Sequence, residues 1–174
     1  MPRRVRFAEP TYFHVFNRAI RKQLLFEDRK DYGAFLTSVR DAQARAPMAL
    51  LAFCVMPNHF HLVVGPCKNA ELSRFMHRLT VIHSKRWHKH HGTEGTGPVY
   101  QGRFKAVPVT SEQHFLTVCR YVEMNPVQAG LVAKPDEWSW SSLCGSRKDC
   151  DPIVISPWPI SPPSGWEVSG NRVS

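Results

Sequence analysis

Residues 48 to 64 read Met-Ala-Leu-Leu-Ala-Phe-Cys-Val-Met-Pro-Asn-His-Phe-His-Leu-Val-Val. Two apolar runs flank Pro57-Asn58, and both of these are turn residues: proline has its φ fixed and asparagine tolerates unusual dihedrals. The stretch predicts two neighbouring strands joined by a short turn, the second opening on His59-Phe60-His61. In a strand, residues i and i+2 point to the same face. His59 and His61 therefore project together, and Phe60 points the other way, towards a core. Two imidazoles side by side on one sheet face are half a metal site. The same spacing recurs at His88-Lys89-His90. That copy lies in a basic stretch of helical pattern, where i and i+2 do not face each other, and reads as a solvated or phosphate-facing run.

The 174 residues suffice for one domain with a real core, and a hydrophobic fraction of 43% fits a globular chain. Lys and Arg number 23 against 14 Asp and Glu, a net charge of +9. That balance favours a polyanionic partner, nucleic acid before an acidic membrane surface. No apolar stretch reaches the length of a membrane span, and the charged start, Met1 to Arg6, lacks the apolar run of a signal peptide. Cys54, Cys67, Cys119, Cys144 and Cys150 form an odd set without a Cys-x-x-Cys pair, so reduced thiols and a cytoplasmic location are expected.

Tyr12 to Arg18 alternates and predicts a first strand, with Tyr12, His14 and Phe16 on one face and Phe13 and Val15 on the other. Asp28 to Ala46 reads as a helix, stopped by Pro47, with Tyr32, Phe35, Leu36 and Val39 at helical spacing. After the central strand pair and a loop at Gly65 to Asn69, a long helix runs from Glu71 to about His91. Its apolar stripe is Leu72, Phe75, Met76, Leu79 and Ile82; Arg74, Arg78, Lys85, Arg86 and Lys89 lie off it, with Trp87 among them. Basic residues with an aromatic between suit phosphate contact and base stacking. Tyr100 to Val109 is a loop entering another strand, with Arg103 and Lys105 on one face.

Thr110-Ser111-Glu112-Gln113 reads as a capping box with Thr110 as N-cap. The helix it opens buries Phe115, Val118, Cys119 and Val122 and ends about Asn125, because Pro126 disfavours helical geometry before it; Pro126 opens a further short turn. The order β-α-β-β-α-β plus an extra helix is the ferredoxin-like, split-βαβ pattern of the α+β class: an antiparallel sheet, helices on one face, and a C-terminal helix carrying Tyr121. Residues 1–150 read as one catalytic domain and 151–174 as an irregular, proline-rich tail. On the last helix, Tyr121 and Asn125 are one turn apart and off the apolar stripe. An Asn125 oxygen would complete a metal site with the two imidazoles, and the Tyr121 hydroxyl would sit beside a metal-bound phosphate.

These residues resemble the single-tyrosine HUH transposases, in particular the branch of REP-associated tyrosine transposases. The resemblance runs from about Tyr12 to Ser142. It rests on Met56-Pro57-Asn58-His59-Phe60-His61, Tyr100-Gln101-Gly102-Arg103-Phe104, Tyr121 to Gly130, and the closing Asp136-Glu137-Trp138-Ser139-Trp140-Ser141-Ser142. The insertion-sequence branch has Gln four residues after the tyrosine; Asn125 matches the REP-associated branch instead. The resemblance implies that His59, His61 and Asn125 hold a divalent cation, Mg²⁺ or Mn²⁺. It implies Tyr121 as nucleophile, a 5′-phosphotyrosine intermediate, and single-stranded DNA with a REP-type hairpin as partner, handled by a monomer or homodimer. Two other readings stay open: a metal-dependent nuclease in which water attacks, and a non-catalytic nucleic-acid-binding module.

Overall fold

Alternation of period two in Thr11–Arg18 makes strand β1, and the structure, a computed structural model, describes residues 11–144, 153–164 and 166. Helix α1 follows (Arg29–Arg45), its N-cap Asp28 accepting from the Lys30 and Asp31 amides. Strands β2 (Leu50–Met56) and β3 (His59–Cys67) come next, then α2 (Asn69–His91), β4 (Lys105–Val109) and α3 (Glu112–Gln128). The sheet is antiparallel throughout, in the order β2-β3-β1-β4. This is the expected α+β, ferredoxin-like arrangement.

Both faces of the sheet are covered. Phe13, Val15, Phe53, Val55, Phe60, Leu62 and Val64 meet Phe35, Leu36, Leu72, Phe75 and Leu79 of α1 and α2. Each such large side chain stabilises the fold by about 1.5–3 kcal/mol when fully buried. The opposite face brings Cys54, Met56, Val63 and Val109 against Phe115, Val118, Cys119 and Val122 of α3. Because β3 alternates from His59 to Val64, Phe60 enters the α1–α2 core, and His59 and His61 fall on the α3 side.

Four local expectations are corrected. The strand after the Pro57-Asn58 turn runs on through Gly65-Pro66-Cys67 to pair Cys67 with Thr11, where a loop was expected. Gly65 there has φ 119°, and a Cβ would lie 2.8 Å from the Thr11 carbonyl oxygen, so glycine is the residue that permits this pairing. The N-cap of α3 is Ser111, not Thr110: Ser111 is extended and its Oγ accepts from the His114 amide at 3.1 Å. Helix α3 also continues through Pro126 to Gln128, because Pro126 is buried on its packed side and tertiary contact outweighs the missing amide. Arg103 precedes β4, so it shares no strand face with Lys105.

Beyond α3, the chain returns to the free edge of β2. Val55 donates to the Trp140 carbonyl, Ser142 to Phe53, and the Trp138 indole to Val55. Residues 153–164 have no regular structure, yet they are packed: Ser156 donates to the Leu50 carbonyl at 2.7 Å and the Trp158 indole to that of Leu51 at 2.9 Å. An edge strand covered in this way offers no open row of peptide groups. Residues 1–10, Cys150 and the last part of the expected tail lie outside the described residues.

Candidate active site

The Pro57-Asn58 turn is held from outside. Leu25 and Phe26 both donate to the Pro57 carbonyl, and Ala19 donates to that of Asn58 at 2.9 Å. His59 starts β3 directly behind this anchored turn and lies opposite Arg18 of β1. His61 lies two residues further along, 5% exposed, with its ring 5.0 Å from that of His59. Helix α3 crosses above them. Its stripe of Phe115, Val118, Cys119 and Val122 is buried, which leaves Tyr121 on the side facing away from the core, 46% exposed. The Tyr121 ring meets the His61 ring edge-on at 5.6 Å. One turn later, the Asn125 side chain comes close enough to His59 to act on its imidazole. Asn125 Nδ2 donates to the Tyr121 carbonyl at 3.4 Å, which leaves Oδ1 as the amide's acceptor atom. The structure thus brings together all four residues singled out on sequence grounds.

It also adds two. His14, on the face of β1 shared with Tyr12 and Phe16, places Nε2 2.9 Å from His61 Nδ1, and its ring is 5.8 Å from that of Tyr121. Arg18 stands across from His59, and its positive charge is felt by both His59 and His61. The signal for His14 was its strand parity; nothing in the sequence shows that it lies beside His61. Burial is the largest cause pushing down His61 to about 3 and His14 to about 4, with neighbouring histidines adding to it. Burial, then Arg18, lowers His59, opposed by the Asn125 side chain, which as an acceptor favours the charged ring. All three rings are neutral at pH 7 and keep a lone pair.

That neutrality and the bonding pattern fit a cation. Each imidazole on β3 has its Nδ1 engaged, His59 by Asn58 Oδ1 at 2.6 Å and His61 by His14. Nε2 of each ring is then the nitrogen left for a ligand, and a metal-bound histidine characteristically has its other nitrogen tied this way. A different group, Asp31, His90 and His91, places three ligand atoms within 4.8 Å of one another at the junction of α1 and α2. It lies on the other side of the sheet, and its His91 Nε2 and Asp31 Oδ1 are in hydrogen-bond contact at 2.9 Å.

The basic residues divide. Arg74, Lys85, Lys89, Arg103 and Lys105 are exposed, and Arg78 is half-buried. Arg86 is turned onto α1, with Nη1 donating to Ser38 Oγ at 3.0 Å and Nη2 to Asp41 Oδ2 at 2.5 Å. A groove of about 740 Å³ runs between α2 and residues 97–104, lined by Asn17, His77, Lys85, His88, Arg103 and Phe104 among others. Its floor is fixed to the end of β1: Gln101 donates to the Arg18 carbonyl and Asn17 Nδ2 to that of Gly102. Asn17 and Arg18 therefore connect the groove to His59.

The model of the IS200-like transposases matches residues 8–125, the span holding every element from β1 to Asn125. The chain belongs to this family. Membership carries a transposase-like function on DNA. Among solved structures, a REP-associated tyrosine transposase bound to a REP hairpin has the same fold, with a TM-score of 0.60 at 17% identity, covering 80% of each chain. A candidate transposase from Deinococcus radiodurans aligns at a TM-score of 0.49 and 19% identity, over 64% of this chain and 88% of that one. No curated protein matches the chain. Among the described residues, no helix is long and apolar enough to cross a membrane.

Proposed function

We propose that this member of the family is a metal-dependent, single-stranded DNA endonuclease and strand transferase that acts through Tyr121 on DNA bearing a REP-type hairpin. The observation that carries the reading is the convergence of His59, His61, Asn125 and Tyr121 where β3 meets α3. His59 Nε2, His61 Nε2 and the Asn125 amide oxygen would hold the divalent cation, Mg²⁺ or Mn²⁺, a donor set that both metals accept. Such an ion supplies Lewis-acid neutralisation of the scissile phosphate's non-bridging charge. Arg18 adds a fixed positive charge beside the same position. The Tyr121 oxygen attacks phosphorus, the bond from phosphorus to the 3′ oxygen breaks, and the DNA 5′ end is left as a phosphotyrosine. The phenol gives up a proton and the departing 3′ oxygen gains one. Bond energy is kept in the covalent link, so a 3′-hydroxyl rejoins the strand by the reverse step without ATP. The groove beside Asn17, with Lys85 and Arg103 on its walls, supplies a track for the strand. The solved relative's REP hairpin supports this substrate class.

The test is incubation with Mn²⁺ and end-labelled hairpin single strands, read for cleavage and for an adduct that survives denaturation. Tyr121→Phe should remove both and leave DNA affinity near wild type, since phosphate contacts dominate such interfaces. Normal cleavage by Tyr121→Phe would make water the nucleophile and the enzyme a simple nuclease. Tyr12→Phe and Tyr32→Phe should still form the adduct. Tyr100 is a poorer control, because its hydroxyl is bonded to buried His83 at 2.6 Å.

A further inference from the structure

The two imidazoles of the site are not held in the same way. Asn58 Oδ1 only accepts, so the 2.6 Å contact makes His59 Nδ1 the donor and leaves the lone pair on His59 Nε2. The contact from His61 Nδ1 to His14 Nε2 at 2.9 Å has no such built-in direction, because either ring can carry the shared proton. If His14 donated, His61 would carry its proton on Nε2 and present an N–H where a ligand must offer a lone pair. If His61 donates, it matches His59, with both Nε2 atoms unprotonated. His14 is 8% exposed and its ring is flanked by Phe16 at 5.2 Å and Tyr121 at 5.8 Å, so packing fixes its orientation. It comes from β1, 47 residues from its partner, and lies opposite Val63 in the ladder, diagonal to His61.

We infer that His14 is a positioning residue of the metal site: its Nε2 accepts from His61 Nδ1–H, fixing the tautomer of His61 that leaves Nε2 free to bind a divalent cation. His14 is not itself a ligand, since this bond uses its Nε2. The assignment rests on the reading of His59 and His61 given above, and it adds a third histidine that acts through one of them. Outer partners of this kind change metal affinity by about 10–100-fold when removed.

Two measurements test it. In the metal-free protein, ¹⁵N shifts of the imidazoles should show His61 protonated on Nδ1, and in His14→Phe that proton should move wholly or partly to Nε2. Mn²⁺ titration should then give binding about 10–100-fold weaker for His14→Phe than for wild type, with substantial recovery in His14→Gln, whose amide oxygen again accepts. The double variant His59→Ala/His61→Ala separates the two claims. Wild-type Mn²⁺ affinity in that variant would sink the metal reading itself, whatever the tautomer. A wild-type His61 protonated on Nε2, or unchanged Mn²⁺ affinity in a folded His14→Phe, would overturn the role of His14 alone. If His14→Phe does not fold, the wild-type shifts still decide the direction of the bond.

Discussion

His83 sits at 1% exposure between the helices and the sheet, its Nδ1 2.6 Å from the Tyr100 hydroxyl and its ring stacked on Phe26. Burial, with Arg86 and His91 adding to it, pushes this imidazole down to about 3. The unfolded chain binds a proton at about pH 6.5, while the native state stays neutral until about pH 3. Between those values the unfolded state holds more protons, so stability rises with pH and falls on acidification below about pH 6.5. Denaturant unfolding at pH 7 and pH 5 should show the fall. His83→Gln keeps a hydrogen-bonding group without the titration, and its slope should be shallower by up to about 1.4 kcal/mol per pH unit. The site histidines differ in kind. His59→Ala should abolish cleavage with the fold retained. His88→Ala should do no more than weaken DNA binding, since His88 lines the groove and bonds Thr93 at 2.8 Å. Equal loss of cleavage in both would undo the distinction between the two His-x-His copies. Strand parity made His59 and His61 legible from one sequence. His14 had the parity but not the partner, because a pair 47 residues apart is made by strand order, not by spacing.

Helix α3 and the strap over β2 show where local rules yield. Pro126 lacks the amide that would close its turn, yet the helix goes on: Ala129 donates to the Asn125 carbonyl and Leu131 to that of Pro126. Asn125 is thereby a helical residue with a fixed direction, instead of a frayed end, and this is what holds its side chain at His59. The segment 153–164 has the prolines of an irregular chain, and it is irregular. Its tryptophan nonetheless decides its place: the Trp158 ring meets Phe115 of α3 at 5.3 Å, and its indole N–H reaches β2. Trp158→Ala should lower unfolding stability by about 1–3 kcal/mol, the range for losing a packed, hydrogen-bonded side chain. A melting temperature equal to wild type would mean that the strap adds nothing to the fold.

At the scale of the whole molecule, the sheet separates two surfaces. Tyr121 and its histidines lie on the α3 side, and the basic residues of α2 lie on the other, with Asn17 and Arg18 at the strand end between them. On the proposed reading, a strand of DNA in the groove would turn around the end of β1 to reach Tyr121. Affinity should fall steeply with salt, through counterion release. Neutralising Lys85 or Arg103 should each lower the log–log slope by about 0.7 for a single strand. Arg86→Gln should behave differently. Its guanidinium is spent on Ser38 and Asp41, a partly exposed contact worth about 0.5–1 kcal/mol. The slope should hardly change, and the melting temperature should fall. A slope change equal to that of Lys85 would put Arg86 back on the DNA.

The sequence by itself determined the order of elements, the parity of each strand and the spacing on each helix. From those came the shared face of His59 and His61, the pairing of Tyr121 with Asn125 one turn later, and the basic character of α2. These are local properties: a period of two or 3.6 and a fixed turn residue are read within one segment. The tertiary structure decided which segments meet. It placed β1 beside β3 so that His14 reaches His61. It also closed Arg86 onto α1, carried α3 past Pro126, and seated the proline-rich strap on β2. In each case packing or a hydrogen bond between residues distant in the chain decided the outcome, and no local pattern encodes such a meeting.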